Sequence, residues 1–102
     1  MQDDSRQYHL EMCVRLIAPG SYPEYFEEIA TTRNVSRDGF YFVTQSEHYE
    51  EGMRLSVTLP YHSPRDPIDR NYLAQVVRVE LLDNAQRGVA IQLLSSVKAE
   101  TI

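Results

Sequence analysis

Apolar and polar residues alternate along most of this chain, a pattern typical of half-buried β-strands. The predicted strands cover residues 10–16, 25–32, 40–43, 54–59, 73–82 and 89–94. In the first, Leu10, Met12, Val14 and Leu16 share one side. Six short strands with turns at fairly regular spacing, and no long helical pattern, predict an all-β chain.

The fourth and fifth strands have the clearest alternation. Alternate side chains of a strand point to opposite faces of its sheet. The fourth is expected to turn Leu55, Val57 and Leu59 inward. The fifth is expected to place Val77, Val79 and Leu81 on one face.

The connections are polar or contain turn-forming residues. Residues 45–52 are a polar excursion, 61–71 contain two prolines and are expected to be a mobile loop, and 83–88 are a hairpin connection. Six strands joined in this way predict a small six-stranded antiparallel barrel, whose closure removes exposed sheet edges. The chain divides into a flexible polar arm (1–9), the barrel (10–94) and a tail (95–102) that could form a short terminal helix.

Composition limits the function. A chain of 102 residues is a single domain, and a formal net charge of -5 argues against a general nucleic-acid-binding face. It leaves room for a small anionic ligand in a local basic pocket. Since no apolar run approaches the roughly 20 residues of a membrane helix, and residues 1–6 lack the apolar core of a signal peptide, neither membrane insertion nor secretion is expected. The single cysteine fits a reducing compartment, so the expected location is the cytoplasm.

The polar residues form no recognisable catalytic or metal-binding pattern. The three histidines lie far apart, without the spacing of metal ligands, and are interpreted as solvated: His9, His48 and His62. Cys13 alternates with the core side of its strand and is interpreted as a structural thiol. The acidic pairs 27–28 and 50–51 are interpreted as solvated faces. With no phosphate loop or dinucleotide fingerprint, the sequence predicts neither an enzyme nor a cofactor site.

The most polar stretch between two apolar strands is residues 33–39, Arg-Asn-Val-Ser-Arg-Asp-Gly. Asn34 and Ser36 are short side chains that can bond neighbouring backbone groups and hold a sharp corner. Gly39 follows an aspartate, a turn signal in which glycine is free to take a positive φ. Arg33 and Arg37 add guanidinium groups suited to phosphate or planar acceptors. The corner is either a well-made turn or a ligand platform.

The corner and the strands around it resemble the PilZ domain family, a six-stranded barrel that binds the bacterial second messenger cyclic di-GMP. Its hallmark is [Asp/Asn]-x-Ser-x-x-Gly at a strand corner, and Asn34, Ser36 and Gly39 match every defined position. The flanking segments 39–42, 52–55, 74–79 and 87–91 also resemble the later strands of the family, in order. The likeness covers roughly residues 6 to 94.

The second motif of the family, Arg-x-x-x-Arg before the first strand, is incomplete. Arg6 occupies its first position, but the residue four positions later is Leu10. The resemblance implies that, in family members that bind cyclic di-GMP, both arginines contact guanine edges and phosphates while the corner holds the nearby guanine. An arginine–guanine contact is worth about 1–3 kcal/mol, so its loss weakens binding about five- to a hundredfold or more. Arg33 or Arg37, beside the corner, are candidates to substitute for the missing arginine.

Three functional hypotheses follow. In the first, the chain is a cyclic di-GMP receptor in which Asn34, Ser36 and Gly39 form the platform, Arg6 clamps the ligand and the 1–9 arm orders on binding. The ordered arm would then present a new surface to an unknown bacterial protein partner. In the second, a PilZ-like adaptor without nucleotide binding acts through protein contacts, which Leu10 and the acidic balance favour. In the third, the chain is an accessory barrel of a larger protein.

Overall fold

Six antiparallel strands form a closed barrel in the order β1-β2-β3-β6-β5-β4, with β1 paired to β4. The structure, a computed structural model, describes residues 11–18, 26–61 and 70–97. The strands are β1 (Cys13–Ala18), β2 (Phe26–Ser36), β3 (Gly39–Thr44), β4 (Arg54–Thr58), β5 (Asn71–Leu81) and β6 (Arg87–Val97). The described residues contain no helix, which confirms the all-β barrel. The predicted 1–9 arm, most of the 61–71 loop and residues 98–102 of the predicted tail lie outside the described residues.

The barrel interior is filled by side chains from all six strands. Buried apolar residues include Val14 and Leu16 of β1, Phe42 of β3, and Leu55 and Val57 of β4. Leu59, just past β4, is also buried, so the inward face predicted for residues 54–59 is confirmed. The last strand is longer than predicted, because β6 continues to Val97 rather than ending at residue 94.

The face predicted for β5 is wrong, because a β-bulge interrupts its alternation. Val76 pairs with Ile91 and Arg78 with Ala90, which leaves Val77 as an extra residue without a partner on β6. Val76 is fully buried and Val79 packs against the core, whereas Val77 is 46% and Leu81 76% exposed. A single extra residue moves every later side chain to the opposite face. Val77 and Arg78 therefore both lie on the barrel exterior.

A second bulge lies in β2, next to the corner. Thr32 pairs with Phe42 and Asn34 with Tyr41, so Arg33 is the extra residue. Thr32 is fully buried, and its hydroxyl accepts a hydrogen bond from the Met12 backbone N–H at 3.0 Å. This bond fixes β2 against the start of β1 before the bulge changes the strand's direction.

One of the two acidic pairs is not the solvated face that the sequence predicted. Glu28 is only half-exposed, and its carboxylate accepts hydrogen bonds from the Thr44 hydroxyl and the Tyr49 hydroxyl, each at 2.7 Å. Tyr49 comes from the polar 45–52 segment yet is buried, with its ring edge against Phe42. The carboxylate thus fastens this segment over one end of the barrel.

Cys13 is exposed, on the outer side that the alternation of its strand predicted. It lies on the same side of β1 as Arg15, while Val14 and Leu16 fill the interior. Its interpretation as a structural thiol stays a prediction.

Candidate functional site

The corner is the tight connection between β2 and β3. Ser36 pairs directly with Gly39, leaving Arg37 and Asp38 as the two turn residues. The Ser36 hydroxyl donates to the Gly39 carbonyl over 3.4 Å, a long and therefore weak hydrogen bond. The Asp38 carbonyl accepts a 2.8 Å hydrogen bond from the N–H of Leu93 in β6. The corner is thus held mainly by backbone pairing, and the Ser36 side chain contributes little to it.

Gly39 is required for a reason that the sequence did not indicate. It does not have a positive φ; among the described glycines only Gly52 does, at 92°. Gly39 is buried, and a Cβ atom built on it would overlap the carbonyl oxygen of Ile91. The glycine therefore permits the close approach of β3 to β6.

A cavity of about 420 Å³, here called the corner cavity, opens on the barrel exterior beside this approach. Its lining comes from β2, the turn, β3, β5 and β6: Asn34, Ser36, Asp38, Gly39, Phe40, Tyr41, Val77, Arg78, Ala90, Ile91 and Gln92. The outward residues of its floor are small, since Gly39 and Ala90 present almost no side chain. The volume lies within the range of about 300–1,000 Å³ that is usual for small-molecule sites.

Tyr41 lies at the edge of the corner cavity, with its side chain over Gly88. Its hydroxyl lies so close to Gly88 that a Cβ atom there would overlap it. Tyr41 also lines a second cavity of about 430 Å³, here called the flanking cavity, together with Glu11, Arg33 and Asn34. The two cavities therefore share Asn34 and Tyr41, so a ligand larger than one cavity could contact both.

The structure brings together three of the six predicted site residues. Asn34, Ser36 and Gly39 all line the corner cavity. Arg33 is exposed at its bulge and lines the flanking cavity instead, whereas Arg37 is exposed in the turn and lines neither. Arg6 lies outside the described residues.

Arg78 is the cavity residue that sequence reasoning missed most clearly. The β5 bulge places it on the wall opposite the corner, where its Nε donates to the Glu80 carboxylate at 2.9 Å. The signals available in the sequence were two adjacent valines at 76 and 77, and Gly88 within an otherwise apolar strand. A glycine inside a strand often marks a close approach by another group.

Neither a protein-family model nor a curated protein matches this sequence. Its fold is similar to that of the Bacillus subtilis inhibitor of motility, MotI/DgrA, with a TM-score of 0.67. The sequences are 13% identical, so the likeness concerns the fold alone. The alignment covers 97% of this chain and 45% of that one, so this chain spans less than half its length. The barrel is consistent with the PilZ-like fold that the corner motif implied.

Two further properties of the described residues bear on function. In the part of the chain that the structure describes, there is no helix long and apolar enough to cross a membrane. Within residues 11–18, 26–61 and 70–97, no three His, Cys, Asp or Glu side chains are grouped so as to hold a metal ion. His48 is exposed and stacks on Phe26, with ring centroids 4.9 Å apart.

Proposed function

We propose that this chain is a PilZ-like signalling module that binds cyclic di-GMP at the corner cavity and relays the level of this messenger to a partner protein. The observation that carries the proposal is the convergence of Asn34, Ser36 and Gly39 on one exterior cavity. These are the three defined positions of the corner motif, and a turn alone would not need them to face a cavity.

The chemistry of the cavity suits a nucleotide. Asn34 offers an amide that can both donate to and accept from a base edge, and Ser36 offers a hydroxyl whose present bond is long. Arg78, on the opposite wall, offers a guanidinium for phosphate. The ring of Tyr41 gives a flat apolar surface next to these groups, suited to a purine.

Calorimetric titration of the protein with cyclic di-GMP, with GTP as the control ligand, tests the proposal. Saturable binding of cyclic di-GMP that Asn34→Ala and Ser36→Ala both weaken is the expected result. Ser56→Ala is the matched control, since Ser56 is an exposed serine of β4 that does not line either cavity. Arg6→Ala tests the contribution that the resemblance assigns to the N-terminal arm.

The Leu10→Arg variant tests whether the incomplete arginine motif limits binding. It restores the second arginine and is expected to tighten binding. A wild-type protein that shows no heat, with binding restored by L10R, would indicate a receptor that has lost half of its clamp. Absence of binding by both proteins would overturn the receptor function.

A second candidate function is that of an adaptor that acts through protein contacts without nucleotide. The observation that favours it is Leu81, 76% exposed at the end of β5 and followed by the exposed Leu82. Exposed leucines at a hairpin end can be buried by a protein partner. If neither wild type nor L10R binds the nucleotide, replacing both leucines with serine should abolish partner binding while leaving the barrel folded.

A further inference from the structure

The described lining of the corner cavity contains one guanidinium and one carboxylate, and a second carboxylate is bonded to that guanidinium. Arg78 is that guanidinium, and Asp38 lines the same cavity. Glu80 is the second carboxylate and is bonded directly to the Arg78 Nε at 2.9 Å. An anionic ligand entering this cavity therefore meets a cation that is already neutralised by a neighbouring group.

The β5 bulge is what creates this arrangement. Arg78 and Glu80 are two positions apart and project on the same, outer face of the strand, opposite Ala90 and Gly88 of β6. If Val77 instead paired regularly with Ala90, without the bulge, Arg78 would point into the core. The bulge thus supplies a cation to the cavity and, with the same register, supplies its counter-ion.

The Arg78–Glu80 pair is suited to exchange. The two side chains are 57% and 41% exposed, and such solvent-exposed ion pairs are weak because water screens both charges. The hydrogen bond from the Arg78 guanidinium to Glu80 uses Nε, which leaves the donors of its two terminal amino groups available to a ligand. They can contact a phosphate before or while Nε leaves Glu80.

We propose that Arg78 is the phosphate contact of the corner cavity and that Glu80 is its competing counter-ion, which the ligand must displace. This inference rests on the proposed function, because it takes the ligand to be a phosphate-bearing nucleotide. Glu80 lowers the affinity of the site, and so sets the ligand concentration at which the module responds.

The test is calorimetric titration with cyclic di-GMP of four proteins: wild type, Glu80→Gln, Arg78→Gln and the double variant. Glu80→Gln should tighten binding about two- to fivefold, the worth of an exposed ion pair. Arg78→Gln should weaken binding about tenfold or more, since it removes a charged hydrogen-bond donor. In the double variant the gain from Glu80→Gln should be smaller than in the wild-type background, because the two effects are coupled.

Matched controls separate this exchange from a general change in charge. Glu50→Gln and Arg54→Gln alter exposed residues that line neither cavity, and should leave the affinity unchanged. An equal gain from Glu80→Gln in both backgrounds would mean that Glu80 only repels the ligand, and would overturn the exchange. If Arg78→Gln binds cyclic di-GMP as tightly as the wild type does, the proposed function stands but the role assigned to Arg78 is wrong.

The titrations also decide the matter if the wild type does not bind cyclic di-GMP. Binding by Glu80→Gln alone would support the exchange, since removal of the counter-ion then reveals the site. Absence of binding by the wild type and Glu80→Gln, with binding by Leu10→Arg, would overturn the exchange but leave the proposed function standing. Absence of binding by all three proteins would overturn both.

Discussion

Asn34 of β2 lies directly opposite Tyr41 of β3, and both residues line the corner cavity and the flanking cavity. The bulge at Arg33 sets this pairing, since Thr32 pairs with Phe42 one position earlier. The amide of Asn34 and the ring of Tyr41 are therefore presented together at the boundary between two cavities. This is an arrangement that could hold a planar base by its edge and its face.

Ser36 distinguishes a ligand platform from a mere turn. Its 3.4 Å bond to the Gly39 carbonyl is weak, so Ser36→Ala should lower the free energy of unfolding by less than about 1 kcal/mol. If the hydroxyl contacts the ligand, the same change should weaken cyclic di-GMP binding about two- to tenfold. Urea unfolding and calorimetry measure the two effects, with Ser56→Ala as the control. Lower stability with unchanged affinity would favour the turn.

Gly39 should not tolerate a side chain, because the Ile91 carbonyl occupies the position of its Cβ. Gly39→Ala should lower the free energy of unfolding by about 1–3 kcal/mol, the usual cost of overpacking. The measurement is urea unfolding followed by circular dichroism.

Gly52 provides the contrasting control for Gly39. Gly52 has a φ of 92°, and the space where a Cβ would lie is open. Glycine is therefore favoured at this position by the backbone conformation and not by a close contact. Asparagine adopts positive φ more readily than other residues, so Gly52→Asn should cost less than Gly52→Ala. At Gly39, asparagine should be no better than alanine. A milder effect of asparagine at Gly39 would contradict the close-approach explanation.

The alternation of apolar and polar residues was sufficient to predict the barrel, but not to predict which side chains of every strand face its interior. Leu55 and Val57 alternate without interruption, and the inward side was predicted correctly. In β5 the same rule failed after Val77, because a bulge changes the register without an obvious change in composition. The bulges at Arg33 and Val77 both lie beside the corner cavity, so simple alternation fails where the candidate site is built.

Other parts of the site depended on tertiary contacts that the sequence does not contain. Glu28 follows another glutamate and resembles a solvated residue, but its donors come from Thr44 and Tyr49, 16 and 21 positions away. The wall formed by Arg78 depends on which strands the barrel brings together. The corner motif itself was visible, because it is local.

The contact between Gly88 and Tyr41 predicts a loss of binding from a residue outside the cavity lining. Gly88→Ala should displace the Tyr41 side chain, since a Cβ would overlap its hydroxyl. Cyclic di-GMP binding should then weaken several-fold, while stability changes little because the ring can move toward solvent. Adding Tyr41→Phe removes the oxygen but leaves the ring carbon Cζ 2.6 Å from the Cβ position, so it relieves part of the overlap and should restore at most part of the binding. Unchanged affinity in Gly88→Ala would show that the position of Tyr41 does not matter.

Tyr49 and Glu28 predict how stability depends on alkaline pH. Burial raises the pKa of Tyr49 well above its ordinary value of 10.0. The hydrogen bond that Tyr49 donates to Glu28, and the negative charge of the Glu28 carboxylate, raise this pKa further. The neutral phenol is therefore favoured in the folded state relative to the unfolded state. Its contribution is fully present below about pH 10, and is lost as the pH rises further because only the unfolded chain readily ionises this tyrosine.

Replacing Tyr49 with phenylalanine tests this assignment. At neutral pH the variant should lower the free energy of unfolding by about 1–3 kcal/mol, because the partly buried Glu28 carboxylate loses a donor. Above pH 10 its stability should fall less steeply than that of the wild type, since one raised pKa has been removed. Urea unfolding between pH 7 and about pH 11 measures both effects. Tyr72→Phe is the control, because Tyr72 packs against the core without a hydroxyl bond to Glu28. Equal slopes for wild type and Tyr49→Phe would mean that Tyr49 does not fasten the 45–52 segment through its neutral hydroxyl.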